Sequence, residues 1–128
     1  MNPEFAEIGQ QFVAAYYKGF DDKNSRATLQ PLYHSTALLT FEGCQFQGPQ
    51  AIVEKLMSVP SDNIQRAITC ADYQPTIDGG VQVCIIGQLK TDSEHDKPMP
   101  FTHVFLLKRE NANYFINNEI FRLALHNF

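Results

Sequence analysis

VQVCIIGQLKT, residues 81–91, places Val81, Val83, Ile85 and Leu89 on one side of an extended chain and Cys84 and Ile86 on the other. The period of two, with β-branched residues on the first side, predicts a strand, because a helix would bring residues three and four apart onto one face. Both sides are apolar. Such a strand belongs to a sheet that needs cover on each face.

Similar stretches flank it. NIQRAITCADYQPT (63–76), FTHVFLLKRE (101–110) and YFINNEIFRLALHNF (114–128) also read as long strands. The separators are Asp78-Gly79-Gly80, an acidic tip within TDSEHDKPMPF (91–101), and Glu110-Asn111-Ala112-Asn113. These are hairpin turns, so the strands are expected to pair antiparallel. ALLTFEG (37–43) predicts one further strand.

The front of the chain has a different period. In NPEFAEIGQQFVAAYYKGF, Asn2 is placed to cap a helix with Pro3 in its first turn, and Phe5, Ile8, Phe12, Tyr16 and Phe20 form an apolar stripe. A short helix is expected within NSRATLQPLY, where Pro31 leaves its start open. In GPQAIVEKLMSV, Gly48 caps a third helix, with Pro49 in the first turn and Ile52, Val53 and Leu56 facing inward. Helices gathered ahead of strands give an α+β domain spanning 1–128, in which a curved antiparallel sheet wraps three helices as a cone. Once the helices cover one face, a second copy is the simplest cover for the other, and a sheet-to-sheet homodimer is expected.

Lys plus Arg number 10 against 14 Asp plus Glu, a formal charge of −4, with no basic run to neutralise phosphates, which argues against nucleic acid as a partner. Cys44, Cys70 and Cys84 are odd in number and lack ligand spacing, so neither a disulfide framework nor a zinc site is supported and a reducing compartment fits. The N-terminus is acidic and interrupted by Gln and Glu, unlike a signal peptide or a spanning helix. A soluble intracellular chain without membrane insertion is expected.

A cone with an unfilled wide end holds an apolar pocket. Candidates for its lining are Phe41, Leu56, Val59, Ile64, Met99, Phe101, Ile120 and Phe121, which equally suit an ordinary core. Asp72, Tyr73 and His103 are the residues to weigh for acid–base chemistry there, as in a dehydratase or isomerase of small molecules. His34, His95, His103 and His126 show no ligand spacing, and the glycines form turns rather than a phosphate loop. The acids of the tip read first as solubilising residues that also discourage edge pairing.

YYKGFD (16–21), LLTFEGCQFQGPQAIVEKL (38–56), QPTIDGG (74–80), GQLKTD (87–92), FLLK (105–108) and the terminal FRLALHNF (121–128) together resemble the nuclear transport factor 2 family, small carriers of the GTPase Ran. The resemblance runs from the first helix to the last residue. It implies a homodimeric α+β cone that carries rather than catalyses and uses no cofactor. It implies binding of Ran in its GDP form, an aromatic side chain of the GTPase entering the apolar mouth while rim acids pair with basic groups beside it.

On that basis Glu42 and Asp92 match rim acids, Phe41 matches an aromatic that shapes the mouth, and Glu94 or Asp96 supplies the second loop acid, Glu94 by its spacing from Asp92. Arg66 stands where other members carry His, a positive charge near the rim. Phe5 matches the aromatic that meets the FxFG repeats of nucleoporins during weak contacts in the nuclear pore. The chain has no Trp, whereas the family commonly has Trp at the positions of Phe41 and Phe5. The resemblance places such a carrier in cytoplasm and nucleus, concentrated at the pore.

Overall fold

The computed structural model describes residues 2–92 and 97–125. Helix α1 is Phe5–Phe20, followed by a 3-10 helix at Lys23–Leu32, strands β1 (Tyr33–Phe41) and β2 (Cys44–Gln47), and helix α2 (Pro49–Met57). Four long strands complete the chain: β3 (Gln65–Pro75), β4 (Val81–Lys90), β5 (Met99–Glu110) and β6 (Asn113–Leu123). The six strands form one sheet in the order β2-β1-β6-β5-β4-β3. The sheet is curved, open and mixed, and with the helices on its inner face it gives a cone-like α+β fold.

Its curvature has a local cause. Register shifts interrupt β3/β4 between Ile68 and Cys70, β5/β6 between Leu106 and Leu107, and β1/β6 between Tyr33 and Leu38. An extra residue on one strand bends it and increases the local twist.

Three expectations need correction. The β1/β6 pair is parallel, because β1 enters the sheet beside the last strand and its return path is the rest of the domain. The four-residue strand β2 pairs antiparallel with β1. Helix α1 begins at Phe5, two residues beyond Pro3. Asn2 does act as a local cap, its Oδ1 accepting from Glu4 N–H at 2.9 Å, but its amide is turned to the hydroxyl of Tyr114, so the chain makes a turn before it coils.

The strand that opened the reading behaves as its alternation requires. Val81, Val83 and Ile85 are wholly buried against the helices. On the outer face Ile86 is 48% and Ile120 50% exposed, apolar surface that this chain leaves uncovered. Close packing of α1 on β3 needs Gly9, where a Cβ would fall 2.2 Å from the ring of Tyr73.

Candidate functional site: the mouth of the cone

A cavity of about 260 Å3 opens between α2, the loop after it, and the inner ends of β4 to β6. Phe41 and Phe121 stack at 4.9 Å to form one wall, and Phe20, Val59, Ile64, Leu89 and Met99 contribute apolar surface. Strand pairing makes the stacked wall: Phe41 and Phe121 are register partners across β1 and β6.

Glu42 reaches the mouth through a tight turn. Glu42 and Gly43 both have positive φ, 51° and 87°, the pattern of a two-residue type I′ hairpin between β1 and β2. One oxygen of its carboxylate accepts from the backbone N–H of Leu123. The acid is therefore held in the wall of the cavity, and among the described residues its second oxygen has no hydrogen-bond donor.

Asp92 stands next to Thr91, which lines the cavity, but turns towards the loop after α2. Its carboxylate accepts from the Ser61 hydroxyl at 3.1 Å and from Asp62 N–H at 3.0 Å. Those bonds favour the charged form and hold its pKa below the ordinary carboxylate value, the Asp62 amide foremost. Glu94 and Asp96 lie outside the described residues.

The side chain of Arg66 is 5% exposed and lines the cavity. Its Nε and Nη2 grip Asp21, with Nη2 at 2.7 Å from Oδ1, and its guanidinium lies 4.0 Å from the centre of the Tyr17 ring. The remaining nitrogen, Nη1, has no hydrogen-bond partner among the described residues. Thr91 Oγ1 is the other such atom among the buried polar side chains described. Both residues line the cavity.

Val59, Ile64, Met99, Phe41 and Phe121 thus come together as the sequence suggested, whereas three candidates do not. Phe101 is fully buried one layer deeper, stacked on Phe121 at 5.9 Å. Leu56 is fully buried in the core. Ile120 faces the opposite side of the sheet, since neighbours on a strand point to opposite faces.

Lys55 was missed. Its Nζ lies 5.2 Å from the Phe41 ring centre and 5.7 Å from that of Phe46, and it lines the mouth. The signal was present: Lys55 is three residues after the inward-facing Ile52, on the same side of the helix.

The acid–base candidates scatter. Asp72 is exposed and pairs with Cys84 in register on the outer face, and Tyr73 is packed on Gly9. His103 is sealed in the core: its Nε2 meets Glu119 at 2.6 Å and its Nδ1 meets the Tyr17 hydroxyl at 2.8 Å. Glu119 also accepts from Tyr16 and Tyr33, each at 2.6 Å. Burial pushes the His103 pKa down against the pull of Glu119 and so favours the neutral ring, and an acidic partner at Nε2 favours the tautomer that donates there.

Phe5 opens α1, partly buried against the core. Among the described residues no group of His, Cys, Asp and Glu has the arrangement of a metal site, and no helix is long and apolar enough to cross a membrane.

Residues 8–123 match the model of the nuclear transport factor 2 (NTF2) domain. A protein named "Probable nuclear transport factor 2" from Caenorhabditis elegans is 46% identical over 131 residues, covering 98% of this chain and 97% of its own. Nuclear transport factor 2 of Emericella nidulans is 42% identical over 122 residues, with 94% and 95% covered. The solved nuclear transport factor 2 from Cryptosporidium parvum superposes with a TM-score of 0.87 at 38% identity, covering 96% of this chain and 97% of that one.

Proposed function

The chain belongs to the nuclear transport factor 2 family, and from that premise we propose that it is a nuclear import carrier for the GDP form of Ran. The relatives' shared name supports a role in nuclear transport; the partner and the contacts are the finer part of the reading.

The observation that carries it is an open apolar cavity with the Glu42 carboxylate fixed in its wall. An aromatic side chain of the GTPase enters between Phe41, Val59 and Met99, and a basic group beside it meets the second carboxylate oxygen of Glu42. Asp92 supplies further negative charge at the same end, with Glu94 or Asp96 as the second loop acid. Arg66 serves from within, fixing the floor through Asp21.

Burying one Phe contributes roughly 1.5 to 3 kcal/mol, and an ionic hydrogen bond roughly the same. Several kcal/mol of association entropy oppose them, so affinity is moderate and release easy. Selection of the GDP state requires that only this state presents the ring and the basic groups together.

Two further surfaces complete the carrier. The outer face around Ile86 and Ile120 joins two copies into a homodimer. Phe5, the first residue of α1, takes FxFG repeats in weak contacts that let the carrier cross the pore and concentrate there, in exchange between cytoplasm and nucleus.

The test is recovery of GDP-loaded and GTP-loaded Ran on the immobilised protein, with Glu42→Lys as the control. Selective recovery of the GDP form, lost on charge reversal, is expected. Equal recovery of both nucleotide states would remove the assignment. An enzymatic reading finds no support in the cavity, because Asp72 and His103 do not reach it together.

A further inference from the structure

Two buried polar atoms lack hydrogen-bond partners among the described residues, Arg66 Nη1 and Thr91 Oγ1, and both belong to residues in the wall of one apolar cavity. Buried polar groups are nearly always satisfied, and each exception asks for an explanation. A shared location makes a shared one economical.

The donors define the missing group. A guanidinium nitrogen only donates, and a hydroxyl donates as readily as it accepts, so one acceptor with two lone-pair sites satisfies both. The cavity wall carries two cations, Arg66 and Lys55, against one carboxylate, Glu42. Asp21 already holds the other edge of Arg66, and Lys55 lies over the Phe41 ring with no carboxylate in ion-pair range among the described residues. A carboxylate fits, with a charge-assisted bond to Arg66.

The rest of the space is apolar, and its 260 Å3 corresponds to roughly nine waters. Beside Arg66, register places Leu89 on β4 and Met99 on β5, two flexible side chains that also line the cavity, Met99 the more adaptable. A slender chain can displace them without disturbing the backbone.

We propose that the mouth of the cone binds a small amphipathic monocarboxylate, its apolar body among Val59, Met99 and Phe121 and its head on Arg66 and Thr91. The site is complete in the free protein and does not require the carrier reading. Where that reading holds, the same occupant excludes an inserted ring and acts as its competitor.

Titration of the uniformly 15N-labelled full chain with octanoate, and separately with octan-1-ol, tests this without any GTPase present, so its failure leaves the carrier assignment untouched. Octanoate is expected to shift the amides of Val59, Thr91 and Met99 saturably and to bind at least tenfold more tightly than the alcohol. Thr91→Val removes one polar partner at constant shape, and Arg66→Lys keeps a cation for Asp21 while removing the second edge of the fork. Each is expected to weaken octanoate about tenfold and leave octanol unchanged, with the dispersion of the spectrum confirming the fold. Absence of saturable shifts, equal affinity for acid and alcohol, or octanoate affinity unchanged in both variants would overturn the proposal.

Discussion

The carboxylate of Asp92 is bound to the hydroxyl of Ser61 at 3.1 Å, which fastens the end of β4 to the loop after α2. A residue that the carrier reading sets against a basic partner therefore also shapes the mouth that the partner enters, since Val59 and Pro60 of that loop line the cavity. Charge and shape are joined in one side chain.

Separating them needs two variants. Ser61→Ala removes the hydroxyl bond and leaves the charge, whereas Asp92→Asn removes the charge and keeps one acceptor oxygen for the loop. Association with GDP-loaded Ran is expected to slow several-fold in Asp92→Asn and to lose part of its salt dependence, as rim charges govern encounter. Ser61→Ala should change the dissociation rate instead. Identical salt slopes for wild type and Asp92→Asn in stopped-flow association would show that the acid is only a brace.

Ile86 and Ile120 stand on the outer face at about half exposure, with the partly covered Val104 on β5 between their strands and Cys84 beside it on β4. An exposed apolar patch of this kind marks an interaction surface. Ile86→Glu or Ile120→Glu places a charge at the centre of the proposed symmetric contact, where it would meet its own copy. Sedimentation equilibrium is expected to report a dimer for the wild type and monomer for either variant. A wild-type monomer at tens of micromolar would dismiss the contact.

His103 makes stability depend on pH with a determinable sign. Its folded pKa lies below the ordinary 6.5 because burial disfavours the imidazolium, although Glu119 beside it opposes the shift. The unfolded chain then takes up the proton first, so stability is full above that ordinary value and declines as pH falls towards the folded one. Apolar rings of Phe101, Phe105 and Phe121 pack around the imidazole with Tyr16; its titratable hydrogen-bond partners are Tyr17 and Glu119, and the Arg66–Asp21 pair acts on it through its charges. Urea midpoints between about pH 5 and 8 should fall on the acid side for the wild type and fall less steeply for His103→Gln. A steeper acid-side fall in His103→Gln would show that the imidazolium is favoured in the core.

The four long strands, the α2 cap at Gly48 and most of the cavity wall were legible because alternation and turn chemistry act locally. The misses have equally local reasons. β2 is four residues long with only Phe46 directed inward, too little for a period to show. Parallel pairing of β1 with β6 leaves no trace in either strand, as side chains alternate identically in both kinds of ladder. Ile120, by contrast, was excluded in advance by the pleat, since Phe121 beside it faces the cavity.

Arg66 and Arg26 mark the harder limit. An arginine reads as surface until its partners are known, and those partners are distant: Asp21 lies 45 residues from Arg66, and Arg26 reaches Ser61 across 35. No pattern within one element encodes a cation whose ligands are backbone carbonyls elsewhere.

Arg26 is wholly buried and donates to four carbonyls, of Phe20 at 2.7 Å, Leu56 at 3.3 Å, Val59 at 2.9 Å and Ser61 at 2.5 Å. It thus joins the end of α1 to the loop that carries the Asp92 contact. Arg26→Met fills much of the volume but strands those acceptors, and the loss expected on removing one side of a buried charged network is about 3 to 5 kcal/mol. Arg26→Lys recovers only part, because one ammonium cannot span the positions that a planar fork holds. Against the 5 to 15 kcal/mol typical of a domain, the methionine variant should remain folded in the cold with a loosened mouth. Partner binding is therefore expected to fail at temperatures where far-UV circular dichroism is still native. Chemical denaturation placing Arg26→Met within about 0.5 kcal/mol of wild type, the range of an ordinary surface substitution, would mean that solvent serves those carbonyls and that the loop is held by Asp92 and Ser61 alone.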